Sequence, residues 1–228
     1  MSVSIIIPAR LDSSRLWGKA LLPYAGIPAL RLILQRTADP SWNQILAVSE
    51  QSTSDPIADH ARLWDIDIIR GSHDDVLGRV LKAAEATGAD TIVRATCDNP
   101  MLNAQAVREG LSVFRHSDEP SACNLGGDHT YDPEGYFVDI ASANALHDLH
   151  AEVASSHRAL KSYLFEHVTL GLKEKRSCKY FSVLPDDHSH VNWSVDRPQD
   201  YLRIHRLFTA QGAAASAEDA LEWTRSNL

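Results

Sequence analysis

The stretch IIIPARLDSSRLWGKALLP, residues 5–23, leaves a fully apolar strand and then spends three cations, two serines and a glycine on about a dozen residues before turning apolar again. The run at residues 3–7 reads as a short buried strand, and it recurs at residues 44–48, 66–69 and 91–94. Helical patterns separate these runs at residues 29–37, 56–64 and 75–87. Strands alternating with helices in this way predict βαβ units and an α/β fold with a doubly wound, mostly parallel sheet. The clearest helix covers residues 74–86, where Val76, Leu77, Val80, Leu81 and Ala84 recur at helical spacing behind an acidic first turn.

Beyond residue 124 the pattern changes. NLGGDHTYDPEGYFVDI, residues 124–140, is rich in Gly, Asp and Pro before it alternates, which predicts a loop and a hairpin excursion. Helices are expected at 142–150, 155–166, 200–208 and 217–226, with strand-like KYFSVL (179–184) and VNWSV (191–195) between them. No internal repeat, low-complexity tract or linker is visible. The expectation is one domain, residues 1–228, with 126–140 as the excursion.

Composition narrows the function. The 228 residues can bury about 70% of the surface of the unfolded chain, enough for a sizeable core. No stretch approaches the roughly 20 apolar residues of a membrane span, and the first residues lack the pattern of a signal peptide, so a cytoplasmic protein is expected. A net charge of -8 opposes general affinity for nucleic acid. Cys97, Cys123 and Cys178 are odd in number and lack CxxC spacing, which fits neither a disulfide framework nor a zinc ribbon.

Cations in such a chain must act locally. A loop leaving the C-terminal end of the first strand lies where open α/β sheets bind ligands. Arg10, Arg15 and Lys19 there form a like-charged group that an anionic, multivalent ligand such as a triphosphate would neutralise; Ser13, Ser14 and Gly18 let backbone N–H groups approach phosphate oxygens. The alternative is a solvated basic loop. Neither GxGxxG nor GxxxxGK[ST] is present at this loop.

Two further stretches, VRATCDNP (93–100) and VNWSVDRP (191–198), each read as a strand ending in an aspartate and a proline turn. Asp98 and Asp196 would offer hard oxygen ligands for Mg2+ carried by phosphates, although a lone Asp before a turn also serves turn chemistry. Crowded on one loop without a second cluster, DDHSH (186–190) lacks the spacing of a metal site.

PARLDSSRLWGKALLPYAGIPAL, GSHDDVLGRVLKAAE, ADTIVRATCDNPML, FEHVT and VNWSVDRPQDY follow in an order that resembles the spore coat polysaccharide cytidylyltransferase family, relatives of the acylneuraminate and 3-deoxy-manno-octulosonate cytidylyltransferases. That resemblance implies a Rossmann-like nucleotide-diphospho-sugar transferase fold and a homodimer formed through a β-arm, matched here near residues 128–140. It also implies that Arg10, Ser13, Arg15 and Lys19 hold the triphosphate of CTP, that Ser72 and Arg79 lie beside the nucleotide, and that Asp98 and Asp196 hold Mg2+. Phe137, Asp139, Phe165, Glu166 and His167 fall to the acceptor side. There the chain departs from its relatives: Phe137 stands for an acidic residue and Phe165 for an arginine, as Trp17 stands for proline in the loop. Glu166 and His167 could orient or deprotonate a nucleophile, or form a helix-end pair satisfying backbone groups.

The expected function is a Mg2+-dependent cytidylyltransferase that joins CMP from CTP to an oxygen nucleophile of a sugar acid or similar small-molecule acceptor and releases pyrophosphate. Its product would be an activated building block for polysaccharide or related biosynthesis. A sugar-1-phosphate nucleotidyltransferase and a non-catalytic nucleotide-binding module are the alternatives. The paired aspartates argue against the second, and a glycine-poor first loop against the first.

Overall fold

The computed structural model describes residues 1–124, 131–155 and 178–227. In chain order the elements are β1 (Val3–Ala9), β2 (Pro23–Tyr24), β3 (Ile27–Pro28), α1 (Ala29–Arg36), β4 (Asn43–Ser49), α2 (Asp55–Leu63), β5 (Ile68–Gly71), α3 (Val76–Thr87) and β6 (Thr91–Arg94). They continue with α4 (Ala104–Arg115), β7 (Ser121–Cys123), β8 (Asp139–Ser142), α5 (Ala143–Ser155), β9 (Lys179–Tyr180), α6 (Pro198–Gln211) and α7 (Ala217–Asn227).

Among the described residues, seven strands form one sheet in the order β5-β4-β1-β6-β8-β7-β9. β1 lies inside it, parallel to β4 with Ala9 opposite Val48 and parallel to β6 with Ile6 opposite Arg94. Both faces of β1 are covered, which is why its sequence is continuously apolar rather than alternating. Ile5 and Ile7 enter the core shared with α1, α2, α4, α6 and α7, whereas Ile6 packs toward α3 and α5. Among the described strands of this sheet β8 alone runs against its neighbours, pairing antiparallel with β6 and β7.

The first half follows the sequence expectation closely. α3 begins at Asp75, whose carboxylate accepts the Gly78 N–H at 2.8 Å, and ends at Gly88 in the left-handed region. β5 sits two residues later than expected, at Ile68–Gly71.

The second half departs more. VNWSV is not a ladder strand: Asn192 makes a single bridge with Glu134. Its alternation comes from packing, since Trp193 and Val195 are buried and the Trp193 indole donates to the Thr224 hydroxyl at 3.3 Å. Of KYFSVL only Lys179–Tyr180 is strand. α4 and β7 are additional to the expected elements, and residues 139 and 140 of the expected excursion begin β8. The helix expected at 155–166 lies outside the described residues beyond its first position. Among the described residues no helix is long and apolar enough to cross a membrane.

β1, β4 and β6 end on one edge, and β1 lies where the connections diverge to either side of the sheet. A crevice at that edge is where such a sheet places ligands.

Candidate active site

The loop after β1 folds back on itself. The Gly18 N–H donates to the Leu11 carbonyl at 2.7 Å, and Gly18 takes φ 72°, a conformation that glycine adopts without a side-chain penalty. A 3-10 turn, Lys19–Leu21, then starts at the residue whose ammonium must reach the crevice.

Lys19 Nζ stands 2.8 Å from Asp98 Oδ2 and 3.4 Å from Asp196 Oδ1. Arg15 Nη2 meets the same Asp196 oxygen at 2.9 Å. Arg10 pairs with Asp12, Nε to Oδ1 at 3.9 Å. The like-charged group is therefore compensated within the chain by Asp12, Asp98 and Asp196, which the sequence reading did not foresee. The two aspartates are joined through the backbone as well, because the Val195 N–H donates to the Asp98 carbonyl at 2.9 Å.

The electrostatics follow from burial and pairing. Burial opposes the charged form of Asp98, but the Lys19 ammonium and the Thr96 hydroxyl outweigh it and hold the carboxyl below its ordinary range. Burial likewise opposes the Lys19 ammonium, and the Asp98 carboxylate, with smaller help from Cys97 and Asp196, raises it above the usual lysine value. The Cys97 thiol is pushed up to about 12 by burial and then by Asp98. It is inert chemistry in the wall of the site.

These groups surround a cavity of about 560 Å3 lined by Arg10, Ser13, Ser14, Arg15, Lys19, Asp98 and Asp196. Arg79 also lines it, 2% exposed, with Nη1 given to the His73 carbonyl at 2.9 Å and Nε without a partner among the described residues. Burial, and then the nearby Arg10, lower the Arg79 pKa to about 10, so the guanidinium remains charged at neutral pH. A buried donor left unpaired beside a cavity is costly unless a ligand accepts from it. Ser72 is placed otherwise: it is exposed, outside the cavity lining, and its hydroxyl accepts the Asp75 N–H at 3.3 Å.

Of the residues expected to meet an acceptor, Phe137 lines the cavity. Asp139 is 5% exposed and accepts from Arg94 Nε at 2.8 Å, so its carboxylate holds Arg94, which does line the cavity. Phe165, Glu166 and His167 lie outside the described residues. Reasoning from sequence missed Arg94, Thr96, Asn99, Glu134 and Ser194 in this lining. A cation ending an otherwise apolar strand was the available signal for Arg94.

Two carboxylates meeting on one ammonium can hold a hard divalent cation. Asp98 is held ionised, and among the described residues no group of three or more His, Cys, Asp or Glu side chains could cage a metal. That donor set suits Mg2+, which is held by one or two carboxylates while phosphates supply the remaining oxygens. In DDHSH, Asp187 instead closes a turn by accepting the Ser189 N–H at 2.9 Å and the Ser189 hydroxyl at 2.7 Å.

The chain is 28% identical over 223 residues to the spore coat polysaccharide biosynthesis protein SpsF of Bacillus subtilis, covering 92% of this chain and 88% of that protein. Its fold matches a cytidylyltransferase from Leptospira borgpetersenii at a TM-score of 0.87 and 24% identity, over 100% of this chain and 95% of the other. It also matches a CMP:2-keto-3-deoxy-manno-octonic acid synthetase complexed with CTP, at a TM-score of 0.69 and 16% identity over 92% and 99% of the two chains. The sequence model of the cytidylyltransferases matches residues 4–190. With that span covered, the chain belongs to the cytidylyltransferase family and is a nucleotidyltransferase.

Proposed function

We propose that the enzyme transfers CMP from CTP to an oxygen nucleophile of a small-molecule acceptor, a sugar acid or a comparable building block for polysaccharide biosynthesis, with release of pyrophosphate. The observation that carries this reading is the Lys19 ammonium standing between Asp98 and Asp196 in a cavity whose rim supplies Arg10 and Arg15. SpsF, by its name a spore coat polysaccharide biosynthesis protein, and the CTP complex of the octonic acid synthetase support the choice of nucleotide and product class.

The acceptor oxygen attacks the α-phosphorus of CTP and gives up its proton to solvent water; the new O–P bond forms as the bond to the bridging oxygen breaks, and its electrons leave with pyrophosphate. Arg10, Arg15 and Lys19 bind the triphosphate and offset the charge that moves onto the departing group. Arg79 offers its unpaired Nε–H to the nucleotide from the floor of the cavity. Asp98 and Asp196 would hold Mg2+, which would supply charge neutralisation and alignment of phosphate oxygens. Phe137 and Arg94 face the acceptor, which binds where the family pattern is altered.

The test is release of pyrophosphate from a panel of the four common ribonucleoside triphosphates with and without Mg2+, each alone and with 2-keto sugar acids. Stimulation by CTP, Mg2+ and one acceptor together is expected. Equal release from every triphosphate, or release indifferent to Mg2+, would refute the proposal.

A further inference from the structure

We infer that His73 is a positioning residue for the loop after β1, coupling Arg10 and Asp12 to the end of β4. The inference rests on the reading that this loop binds the triphosphate. His73 does not line the cavity; it acts through residues that do.

The ring is bonded on both sides. Nδ1 lies 3.0 Å from the Ser49 hydroxyl, and Nε2 lies 3.3 Å from Asp12 Oδ2 and 3.5 Å from Arg10 Nη1. Ser49 is a firm anchor. It is fully buried at the last position of β4, its carbonyl receives Arg70 Nη2 at 3.1 Å, and its hydroxyl accepts the Gln51 N–H at 3.2 Å. The backbone of His73 is held too, since its carbonyl accepts from Arg79.

The two neutral tautomers give the ring two ways to hold the loop. With the proton on Nε2, it donates to Asp12 while Nδ1 accepts from the Ser49 hydroxyl. With the proton on Nδ1, it donates to Ser49 and Nε2 accepts from Arg10. The first arrangement ties the loop to the sheet through Asp12, so Arg10 can leave Asp12 for a phosphate without freeing the loop from its anchor; the second holds Arg10 itself until a phosphate takes it. Removing the ring leaves Arg10 the same charge but more positions to sample, and ordering it then falls to the ligand.

The experiment compares His73→Ala, His73→Gln and Ser49→Ala with the wild-type protein. Folding is checked by thermal melt, affinities for CTP and CMP are measured by calorimetry with Mg2+, and pyrophosphate release gives KM and kcat. His73→Ala should weaken CTP about tenfold, the scale of one hydrogen bond to a charged group, and leave CMP within about twofold. KM for CTP should rise by more than kcat falls. His73→Gln, whose amide can reach toward Asp12, should recover part of the CTP affinity, and Ser49→Ala should lose less in the same direction. Should His73→Ala not fold, the Gln and Ser49 variants decide by the same comparison. Unchanged CTP affinity in the folded variants, or an equal loss for CMP, would overturn the role of His73 alone. A wild-type protein that binds no CTP would overturn the nucleotide reading and this inference with it.

Discussion

Gly135→Ala tests whether the turn at residues 133–135 sets the position of Asp196. Gly135 has φ 87°, and a Cβ built there would lie 2.2 Å from the Ser194 nitrogen, 2.5 Å from the Trp193 carbonyl carbon and 2.7 Å from the Ser194 Cα. All three are backbone atoms, so no rotamer change relieves the contact. The same turn grips this segment through the Glu134 N–H to the Val191 carbonyl at 2.9 Å and the Trp193 N–H to the Glu134 carbonyl at 2.6 Å. Two costs add: about 1–2 kcal/mol for an L-residue in a left-handed conformation and about 1–3 kcal/mol for displacing packed structure. Gly18→Ala is the comparator, because its φ is 72° but nothing lies within 4 Å of its Cβ, which leaves the first cost only. At about 2–4 °C per kcal/mol for a domain of this size, Gly18→Ala should lower Tm by about 2–8 °C and Gly135→Ala by about 4–20 °C. The displaced backbone leads through Val195, which bonds the Asp98 carbonyl, to Asp196. Gly135→Ala should therefore also raise the Mg2+ concentration needed for pyrophosphate release, measured well below both melting points. A melt no lower than that of Gly18→Ala would refute the steric argument, and a wild-type Mg2+ dependence would refute the link to Asp196.

Asp98→Asn and Asp196→Asn should each lower turnover by about a hundredfold or more while circular dichroism shows an intact fold, since each replaces a charged ligand by a neutral one; near-normal rate at saturating Mg2+ in either variant would refute the metal assignment. Arg10→Ala and Lys19→Ala should weaken CTP more than CMP, and equal losses in a binding titration would show that these side chains do not read the outer phosphates. Phe137→Asp should change which acceptors stimulate pyrophosphate release while leaving CTP affinity unaltered, and a loss confined to CTP would move Phe137 to the nucleotide side. Cys97, buried and with its thiol pushed up to about 12, should resist iodoacetamide at pH 8 in the folded protein and react in urea, as read by peptide mass spectrometry; rapid labelling before unfolding would contradict its placement.

What the sequence disclosed depended on whether the determining interaction was local. β1 was legible because a strand covered on both faces needs one apolar residue after another, and Ile5, Ile6 and Ile7 are all fully buried. Asp98 and Asp196 were legible because each precedes a turn. Their meeting on Lys19 was not, since the partners are 79 and 177 positions away. A separation of 45 positions likewise hid the pairing of Arg94 with Asp139, which face each other across β6 and β8. α4 escaped for another reason: Gly110 in its middle weakens the helical signal. That glycine is required by packing, as a Cβ there would lie 2.8 Å from Val138 Cγ1 and 2.9 Å from Phe181 Cζ. Ser72 and Arg79 belong to one motif, yet only the arginine reaches the cavity, because burial of that face of α3 turns it inward.

The pairing of the loop cations changes how the site is understood to bind. A cluster of uncompensated cations would draw any anion, with affinity set by charge alone. Here Lys19 and Arg15 are already satisfied by Asp98 and Asp196, and a triphosphate bound as proposed would have to exchange with those carboxylates. The exchange is cheap for Arg15, whose side chain is 52% exposed and whose ion pair is correspondingly weak. It is costlier for Lys19, 15% exposed, because moving it leaves the partly buried Asp98 carboxylate without its ammonium. On the proposed reading, Asp98 and Asp196 would hold a divalent cation, and its charge would offset that cost as the triphosphate takes up Lys19. Nucleotide and metal would then favour one another's binding by equal factors, as linkage requires. A monoanion or a metal-free phosphate gains only the weak pairs. On that reading, selectivity for a metal–triphosphate over the many other anions a basic loop could attract would come from the two aspartates as much as from the cations they hold.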